Sequence, residues 1–159
     1  MSQVGITGHT GKLGSALFAR FSIMHEVEGY SRLNGYDIRR YDEIIQAAKH
    51  NDIFINNAYD RYSQVDLLYN LYKEWHNKDK IIVNISSIAP DGIKENLSQY
   101  ASHKAALDNA HRQIAAKMNS CRVINIKPGY ITEFDTLADT IYNIVHLKSP
   151  IAEVIITNG

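Results

Sequence analysis

Three side chains in the middle of the chain have the types and spacing needed to polarise a carbonyl group and move a proton. Tyr100 and Lys104 lie at positions i and i+4 of the segment YASHK, so on a helix they share one face. A phenol has a pKa of about 10, but a nearby ammonium group favours its ionised form and lowers that pKa. Ser87 lies thirteen positions before Tyr100, at the end of the apolar run KIIVNISS. We expect Ser87, Tyr100 and Lys104 to form a catalytic set, although an ordinary amphipathic helix also carries such a Tyr–Lys pair.

A glycine-rich segment near the N-terminus, TGHTGKLG, has a pattern that holds the phosphates of a dinucleotide. It follows the β-like run QVGIT and opens a helical pattern. Gly8 can adopt a tight turn, Gly11 lets the backbone approach a pyrophosphate, and Gly14 allows close packing of helix against strand. The N–H groups at the helix N-terminus then favour phosphate, although a glycine-rich turn without ligand is the alternative. The expected contacts from this loop are Gly8, Thr10, Gly11, Lys12, Leu13 and Gly14.

The residues after the second predicted strand indicate which dinucleotide binds. NAD-binding domains usually carry an acidic residue there, which holds the ribose 2′-hydroxyl. This chain has GYSR instead, with Ser31 and Arg32 and no acid. Because a carboxylate would repel a 2′-phosphate and an arginine can grip it with two hydrogen bonds, we predict NADP (NADPH) rather than NAD, with Lys12 adding charge. The alternative is that Arg32 is an ordinary solvated surface residue.

Strand-like and helix-like patterns alternate along the chain. The strand-like runs are QVGIT, HEVEGYS, a short YDIRR, DIFINNA, KIIVNISS, CRVINIKPG and AEVIIT. The helix-like runs between them are KLGSALFARFS, YDEIIQAAKH, QVDLLYNLYKEW, LSQYASHKAALDNAHRQIAAKM and TLADTIYNIVHL. Such alternation is typical of right-handed βαβ units and a parallel sheet. Ligands of such a sheet bind at the carboxyl ends of its strands, so we expect Ser87 and Tyr100 to converge there.

Composition argues against several other classes of protein. The 159 residues carry 17 basic and 17 acidic side chains, so there is no basic footprint for nucleic acid. Cys121 is the single cysteine, which excludes an intrachain disulfide, and the seven histidines form no zinc-binding pattern, so no metal site is predicted. No apolar run approaches the ~18 residues of a membrane span, and no signal peptide is recognisable. We expect one cytoplasmic domain over residues 1–159.

Five segments, in the right order, resemble the short-chain dehydrogenase/reductase family. TGHTGKLG resembles its cofactor loop, NNAY at Asn56–Tyr59 resembles its N-N-A-G, and NISS followed by YASHK resembles its catalytic Ser, Tyr and Lys. KPGYIT resembles its P-G-x-I-x-T turn beside the nicotinamide, and IITNG resembles its last strand and glycine. The resemblance implies an α/β fold: a three-layer, Rossmann-type doubly wound parallel sheet of about seven strands in the order 3-2-1-4-5-6-7. It also implies a homodimer or homotetramer formed through the two central helices, for which packing within one chain is the alternative.

The same resemblance implies a role for each site residue. Tyr100 is the general acid–base residue, Ser87 polarises the substrate carbonyl, and Lys104 lowers the pKa of Tyr100 and holds the nicotinamide ribose. The thirteen-residue spacing to the tyrosine favours Ser87 over Ser86. Asp37 either contacts the adenine or is simply a turn carboxylate. The remaining cofactor contacts are expected from Asn57, Ala58, Pro128, Gly129, Ile131 and Thr132.

The chain also departs from the family in ways that bear on its function. Tyr59 replaces the usual glycine, Ser63 or Gln64 stands where the family has a proton-relay Asn, and Asn70 lies too near the C-terminal half of its helix. The substrate-binding insertions are largely absent, so we expect a shallow pocket. We interpret His103 as a helix-surface residue. Two functions remain: an NADP-dependent oxidoreductase acting on a small carbonyl or alcohol, which the Ser–Tyr–Lys set favours, and a non-catalytic NAD(P)-binding sensor or regulatory protein.

Overall fold

A parallel sheet forms the middle layer of the structure, a computed structural model that describes residues 1–92 and 97–157. Within these residues the sheet has six strands in the order β2-β1-β3-β4-β5-β6, and every neighbouring pair is parallel. The strands are β1 Gln3–Thr7, β2 Glu26–Tyr30, β3 Ile53–Asn56, β4 Ile81–Ile85, β5 Arg122–Pro128 and β6 Glu153–Ile156. The α/β class and the doubly wound order predicted from the sequence are confirmed.

Helices cover both faces of this sheet and complete the three layers. One face packs against α1 (Lys12–Ser22) and α5 (Phe134–His146). The other face packs against α2 (Tyr41–Ala48), α3 (Ser63–Trp75) and α4 (Gln99–Ala115). None of the helices in the described part of the chain is long and apolar enough to cross a membrane.

The third strand predicted from YDIRR is wrong. Residues 32–34 and 38–40 form two 3₁₀ turns instead. Gly35, with a φ of 91°, ends the first turn, and the Asp37 carboxylate caps the second by accepting the Arg39 N–H at 2.9 Å. Ile38 is the one buried residue of the second turn, so the segment lacks the alternating apolar face of a half-buried strand. When the third strand is removed from the predicted order 3-2-1-4-5-6-7 and the later strands are renumbered, the order is the observed β2-β1-β3-β4-β5-β6.

Each face of the sheet has its own apolar core, which holds the central strands in place. Strands β3 and β4 are buried on both faces, which explains why their sequences are continuous apolar runs rather than alternating ones. Leu67, Leu68 and Leu71 of α3 are fully buried, and each contributes about 1.5–3 kcal/mol through the apolar surface that it removes from water. The helices that carry the candidate site residues are therefore firmly packed.

The glycine-rich loop between β1 and α1 has the geometry predicted for it. Gly8 has a φ of 68°, in the left-handed region that favours glycine. A Cβ on Gly14 would lie 2.0 Å from the Gly8 carbonyl oxygen, so only glycine allows the helix to approach the turn this closely. At the other end of the chain, the final two residues of IITNG lie outside the described residues.

Candidate active site

The three predicted catalytic side chains line one cavity of about 260 Å³ at the carboxyl end of the sheet, which we call the Ser87 cavity. Ser87 follows the end of β4, Tyr100 lies in the first turn of α4, and Lys104 lies one turn further along. The Ser98 hydroxyl starts α4 at this point, because it caps the helix by accepting the Ala101 N–H. The other lining residues are Leu13, Asn57, Tyr59, Ile85, Ser86, Pro128, Gly129, Ile131, Phe134 and Leu137.

Two adjacent serines line this cavity, and their hydroxyl groups have different partners. The Ser87 hydroxyl accepts the backbone N–H of Ala89 at 3.0 Å and lines the cavity beside Tyr100. The Ser86 hydroxyl is buried and donates to the Asp108 carboxylate at 2.6 Å. Because Asp108 also lies 3.3 Å from the ammonium group of Lys127, Ser86 belongs to a buried ionic network. The geometry therefore favours Ser87 as the residue that polarises a substrate.

The pKa of Tyr100 is raised above its ordinary value, chiefly because burial disfavours the phenolate. The nearby Ser87 hydroxyl lowers this pKa, and the neighbouring Tyr59 adds to the rise. The predicted lowering of this pKa by Lys104 is wrong for this arrangement. The Lys104 ammonium lies 5.7 Å from the centre of the Tyr100 ring and is held by other groups. Tyr100 is consequently a neutral phenol at neutral pH.

Gln64 holds the ammonium group of Lys104 in the wall of the cavity. This lysine is only 3% exposed, and it donates to Gln64 Oε1 and to the Ile85 carbonyl oxygen, both at 2.8 Å. Gln64 Nε2 donates in turn to the carbonyl oxygens of Asn56 at 2.7 Å and Ile85 at 2.9 Å. Burial lowers the pKa of Lys104 to about 8. Of Ser63 and Gln64, the two residues that stand in place of the family's Asn, Gln64 is the one that bonds to Lys104. Asn70 donates to the Asp66 carbonyl oxygen within α3.

Tyr59 lies over this set, and sequence reasoning missed what holds it there. Its hydroxyl is 2.6 Å from Nδ1 of His103, and its ring packs edge-on against Tyr100 with 4.9 Å between centroids. His103 is only 9% exposed and also packs edge-on against Tyr62 at 4.6 Å, so its interpretation as a surface residue is wrong. The signal in the sequence that could have found this contact is the set of three tyrosines near His103, namely Tyr59, Tyr62 and Tyr100.

A second cavity of about 250 Å³ lies where β1 and β2 end, and we call it the Arg32 cavity. Five of the predicted cofactor contacts line it: Gly8, Thr10, Ser31, Arg32 and Ala58. The remaining walls are mostly apolar or aromatic: Thr7, Tyr30, Leu33, Tyr36, Ile38, Ile44 and Tyr59. A cavity with mostly apolar and aromatic walls and an arginine beside them fits an adenosine that carries a phosphate.

Two arginines and two aspartates form a charged cluster at this second cavity. Arg32 lies 3.6 Å from Asp37 and 3.4 Å from Asp60, and Arg39 lies 2.7 Å and 3.5 Å from the same two carboxylates. Hydrogen bonds from Arg39 hold the pKa of Asp37 well below its ordinary value. The Asp37 carboxylate therefore caps a turn and pairs with two arginines. This favours its interpretation as a turn carboxylate over a contact with adenine. The segment GYSR has no acidic residue, but Asp37 and Asp60, from two other segments, lie beside its arginine.

Five predicted cofactor residues line neither cavity in the described part of the chain: Gly11, Lys12, Gly14, Asp37 and Thr132. Gly11 begins α1 without a side-chain cap, and the first turn of that helix carries no acidic residue. The N–H groups of this turn are therefore free of competing carboxylates, which fits a phosphate group there. Lys12, the first residue of α1, and Thr132, which precedes α5, are both exposed.

Two backbone N–H groups in the segment after β3 bond to the end of β1, next to the glycine-rich loop. The N–H groups of Asn57 and Ala58 donate to the Thr7 hydroxyl at 2.9 and 3.0 Å. The Asn57 side-chain amide donates to the Thr7 carbonyl oxygen at 3.1 Å. Asn57 lines the Ser87 cavity and Ala58 the Arg32 cavity, so this junction aligns the two cavities along the strand ends.

Comparison with known proteins identifies the fold. No protein-family model and no curated protein matches the sequence. Among solved structures, serine dehydrogenase from Escherichia coli is similar, with 17% identity and a TM-score of 0.81 over 97% of this chain and 96% of that one. The 3-ketoacyl-(acyl-carrier-protein) reductase from Brucella melitensis complexed with NADH has 16% identity and a TM-score of 0.83 over 99% and 97%.

A third structure is a short-chain dehydrogenase from Burkholderia cenocepacia J2315 in complex with NADP. It has 17% identity and a TM-score of 0.79 over 96% of this chain and 87% of that one. At these identities the likeness concerns the fold alone. The chain has the fold of the short-chain dehydrogenase/reductase structures, and the resemblance found in its motifs is confirmed at that level.

Proposed function

We propose that this chain is an NADP(H)-dependent oxidoreductase of the short-chain dehydrogenase/reductase type, which interconverts a small carbonyl compound and its alcohol. The observation that carries the proposal is the meeting of Ser87, Tyr100 and Lys104 in one cavity, with the phenol of Tyr100 protonated. On this proposal residues 1–159 act as a single cofactor-binding domain with a shallow substrate pocket.

The chemistry assigns one task to each side chain. A bound nicotinamide would supply or accept the hydride. In the reducing direction the Ser87 hydroxyl donates to the carbonyl oxygen of the substrate, and Tyr100 gives its phenolic proton to that oxygen as negative charge develops on it. The carbon gains the hydride, the oxygen gains the proton, and the product is the alcohol. Lys104, which is protonated at neutral pH, lies in the wall of the same cavity and would hold the ribose of the nicotinamide.

The raised pKa of Tyr100 favours the reducing direction near neutral pH. A phenol that keeps its proton is ready to act as an acid, whereas oxidation of an alcohol requires a phenolate to accept a proton. The rate of alcohol oxidation should therefore rise with pH over the range in which Tyr100 ionises. Carbonyl reduction should be fastest where Tyr100 and Lys104 both hold their protons, which is below a pH of about 8.

The assignment of NADP rests on the charges at the Arg32 cavity. Arg32 and Arg39 together offer two guanidinium groups to a 2′-phosphate, and Arg32 lines the cavity directly. Both arginines also contact Asp37 and Asp60, so part of their charge is already balanced. We therefore infer a preference for NADPH over NADH that is real but smaller than an unpaired arginine would give.

The first test is a fluorescence titration of the purified protein with NADPH and NADH, beside the Arg32→Asp variant. We expect tighter binding of NADPH and loss of that preference in the variant, because the new carboxylate repels the 2′-phosphate. Failure of both nucleotides to bind the wild-type protein would overturn the enzyme assignment before any substrate is tried.

The second test is a screen of small carbonyl compounds with NADPH, followed by the Tyr100→Phe variant. Turnover should fall by about 10²–10⁴-fold, because the phenolic proton is lost, while NADPH affinity is retained. Tyr62→Phe is the matched control, since Tyr62 is exposed and lies outside both cavities. Equal turnover in wild type and Tyr100→Phe would contradict the mechanism.

One observation favours a second candidate function, a nucleotide-binding sensor or regulatory protein without turnover. The ammonium of Lys104 is committed to Gln64 and Ile85, and Tyr59 covers it with its ring 5.4 Å away. A protein that binds NADPH but turns over no carbonyl, with Tyr100→Phe indistinguishable from wild type in every assay, would have this second function.

A further inference from the structure

Tyr59 separates the two cavities of the candidate cofactor site. It is the one residue, in the part of the chain that the structure describes, that lines both the Arg32 cavity and the Ser87 cavity. Tyr59 is 41% exposed, and its ring packs edge-on against Tyr100. A dinucleotide whose adenosine lies beside Arg32 and whose nicotinamide lies beside Ser87 must therefore pass this ring.

A single side-chain hydrogen bond holds the ring in this place. The Tyr59 hydroxyl is 2.6 Å from Nδ1 of His103, a residue of α4 that is itself nearly buried and packed against Tyr62. The Tyr59 ring also packs against the rings of Tyr100 and His103, with 4.9 and 5.8 Å between centroids, and the Lys104 ammonium lies 5.4 Å from its centre. Loss of the bond to His103 would leave the exposed ring free to rotate toward solvent.

We propose that the Tyr59–His103 hydrogen bond is a latch over the nicotinamide half of the cofactor site, which selectively weakens binding of the intact dinucleotide. This proposal rests on the proposed function and adds a residue that sets cofactor affinity. The adenosine half occupies the Arg32 cavity with the ring in place. The nicotinamide half reaches the Ser87 cavity only after the ring has turned away and the bond to His103 has broken. Part of the binding free energy of the dinucleotide is consumed in opening the latch.

The test compares a half-ligand with the whole ligand. Adenosine 2′,5′-bisphosphate probes the Arg32 cavity alone, and NADPH probes both cavities. Dissociation constants are measured by isothermal titration calorimetry for the wild type, Tyr59→Phe, Tyr59→Ala and the control Tyr62→Phe, each first checked for folding by thermal melting. Tyr59→Phe keeps the ring and removes the hydroxyl, so it is informative even if the alanine variant unfolds.

Tyr59→Phe should bind NADPH about three- to tenfold more tightly than the wild type, since one hydrogen bond no longer has to be broken. Tyr59→Ala should bind it more tightly still, because the ring is gone. Affinity for adenosine 2′,5′-bisphosphate should stay unchanged in Tyr59→Phe, which keeps the ring in the wall of the Arg32 cavity, and should not rise in Tyr59→Ala, which removes part of that wall. Tyr62→Phe should match the wild type with both ligands.

Three outcomes would overturn the latch. Weaker NADPH binding by both Tyr59 variants would mean that the ring stacks on the cofactor and supports it. Unchanged NADPH affinity, with the half-ligand still bound, would mean that the ring is no obstacle. Equal changes in both ligands would mean a general effect on the fold. Failure of both ligands with all four proteins would instead overturn the proposed function itself, and the latch with it.

Discussion

The Arg32 cavity and the Ser87 cavity meet at Tyr59, but they differ in where their charges lie. At the Arg32 cavity the side chains of Arg32 and Arg39 are 68% and 62% exposed and pair with two aspartates. At the Ser87 cavity one ammonium group is nearly buried and is bonded to an amide and a carbonyl oxygen. Exposed ion pairs are weak and screened by salt, whereas a buried charge strongly shifts pKa values and stability. We therefore expect substitutions at the first cavity to alter selectivity, and substitutions at the second to alter stability and chemistry.

The largest effect should follow from removing the partner of the buried ammonium group. Gln64→Leu leaves Lys104 without its amide acceptor and takes a donor from two buried carbonyl oxygens. We expect the free energy of unfolding to fall by about 2–4 kcal/mol, measured by urea denaturation. Gln113→Leu, an exposed glutamine on α4, is the matched control and should change little. A Gln64→Leu effect no larger than that of the control would mean that Lys104 is well solvated, which would remove the contrast between the cavities.

A smaller effect should appear in the pH dependence of stability. The pKa of Lys104 is about 8 in the folded protein and 10.5 is its ordinary value, so between these the unfolded state binds more protons. Lys104 therefore makes stability rise with pH across that window, by at most about 1.4 kcal/mol per pH unit. The stability difference between wild type and Lys104→Met, measured at several pH values by chemical denaturation, should grow in favour of wild type from pH 8 to 10. A difference independent of pH would contradict the lowered pKa.

Asp37, in the charged cluster at the Arg32 cavity, also makes stability rise with pH, but in a different pH range. Hydrogen bonds lower the pKa of Asp37 in the folded protein, so its contribution to stability is present above its ordinary value of 3.8 and is lost as the pH falls through the folded pKa. This loss lies entirely in acid, away from the window of Lys104. The two cavities can therefore be distinguished by pH alone in one series of denaturation curves.

The smallest expected effect concerns the exposed ion pairs. Asp60→Asn removes one carboxylate from between Arg32 and Arg39 and frees both guanidinium groups for a phosphate. NADPH should bind about two- to fivefold more tightly at low salt, with the gain lost at high salt, while NADH affinity changes little. Asp66→Asn, an exposed acid on α3, is the control in the same titration. Equal tightening of NADPH and NADH would mean that the cluster does not face the 2′-position.

The elements that the sequence predicted best are those with local causes. Continuous apolar runs identified β3 and β4, and helical spacing identified α1 and α3, because burial of these segments depends on their own composition. The segment YDIRR was misassigned because turn chemistry at Gly35 and Asp37 outweighed a weak strand pattern. The predicted dimer through the two central helices stays a prediction. Leu67, Leu71 and Leu107 of those helices are already buried within this chain, as packing within one chain requires.

The sequence by itself determined the alternation of parallel strands with helices, the glycine turn before α1, and the convergence of Ser87 and Tyr100 at the strand ends, because each follows from periodicity or from positions at strand ends. The order of the strands in the sheet followed from the resemblance of the motifs. The tertiary structure alone decided how those groups are tuned. Gln64 lies forty residues from Lys104, and Tyr59 lies forty-four from His103, so their hydrogen bonds exist only after α3, α4 and the strand ends have packed together. A pKa depends on burial and on such distant partners. For that reason a lowered pKa of Tyr100 was expected from its neighbour in sequence, and a raised one resulted from its neighbours in space.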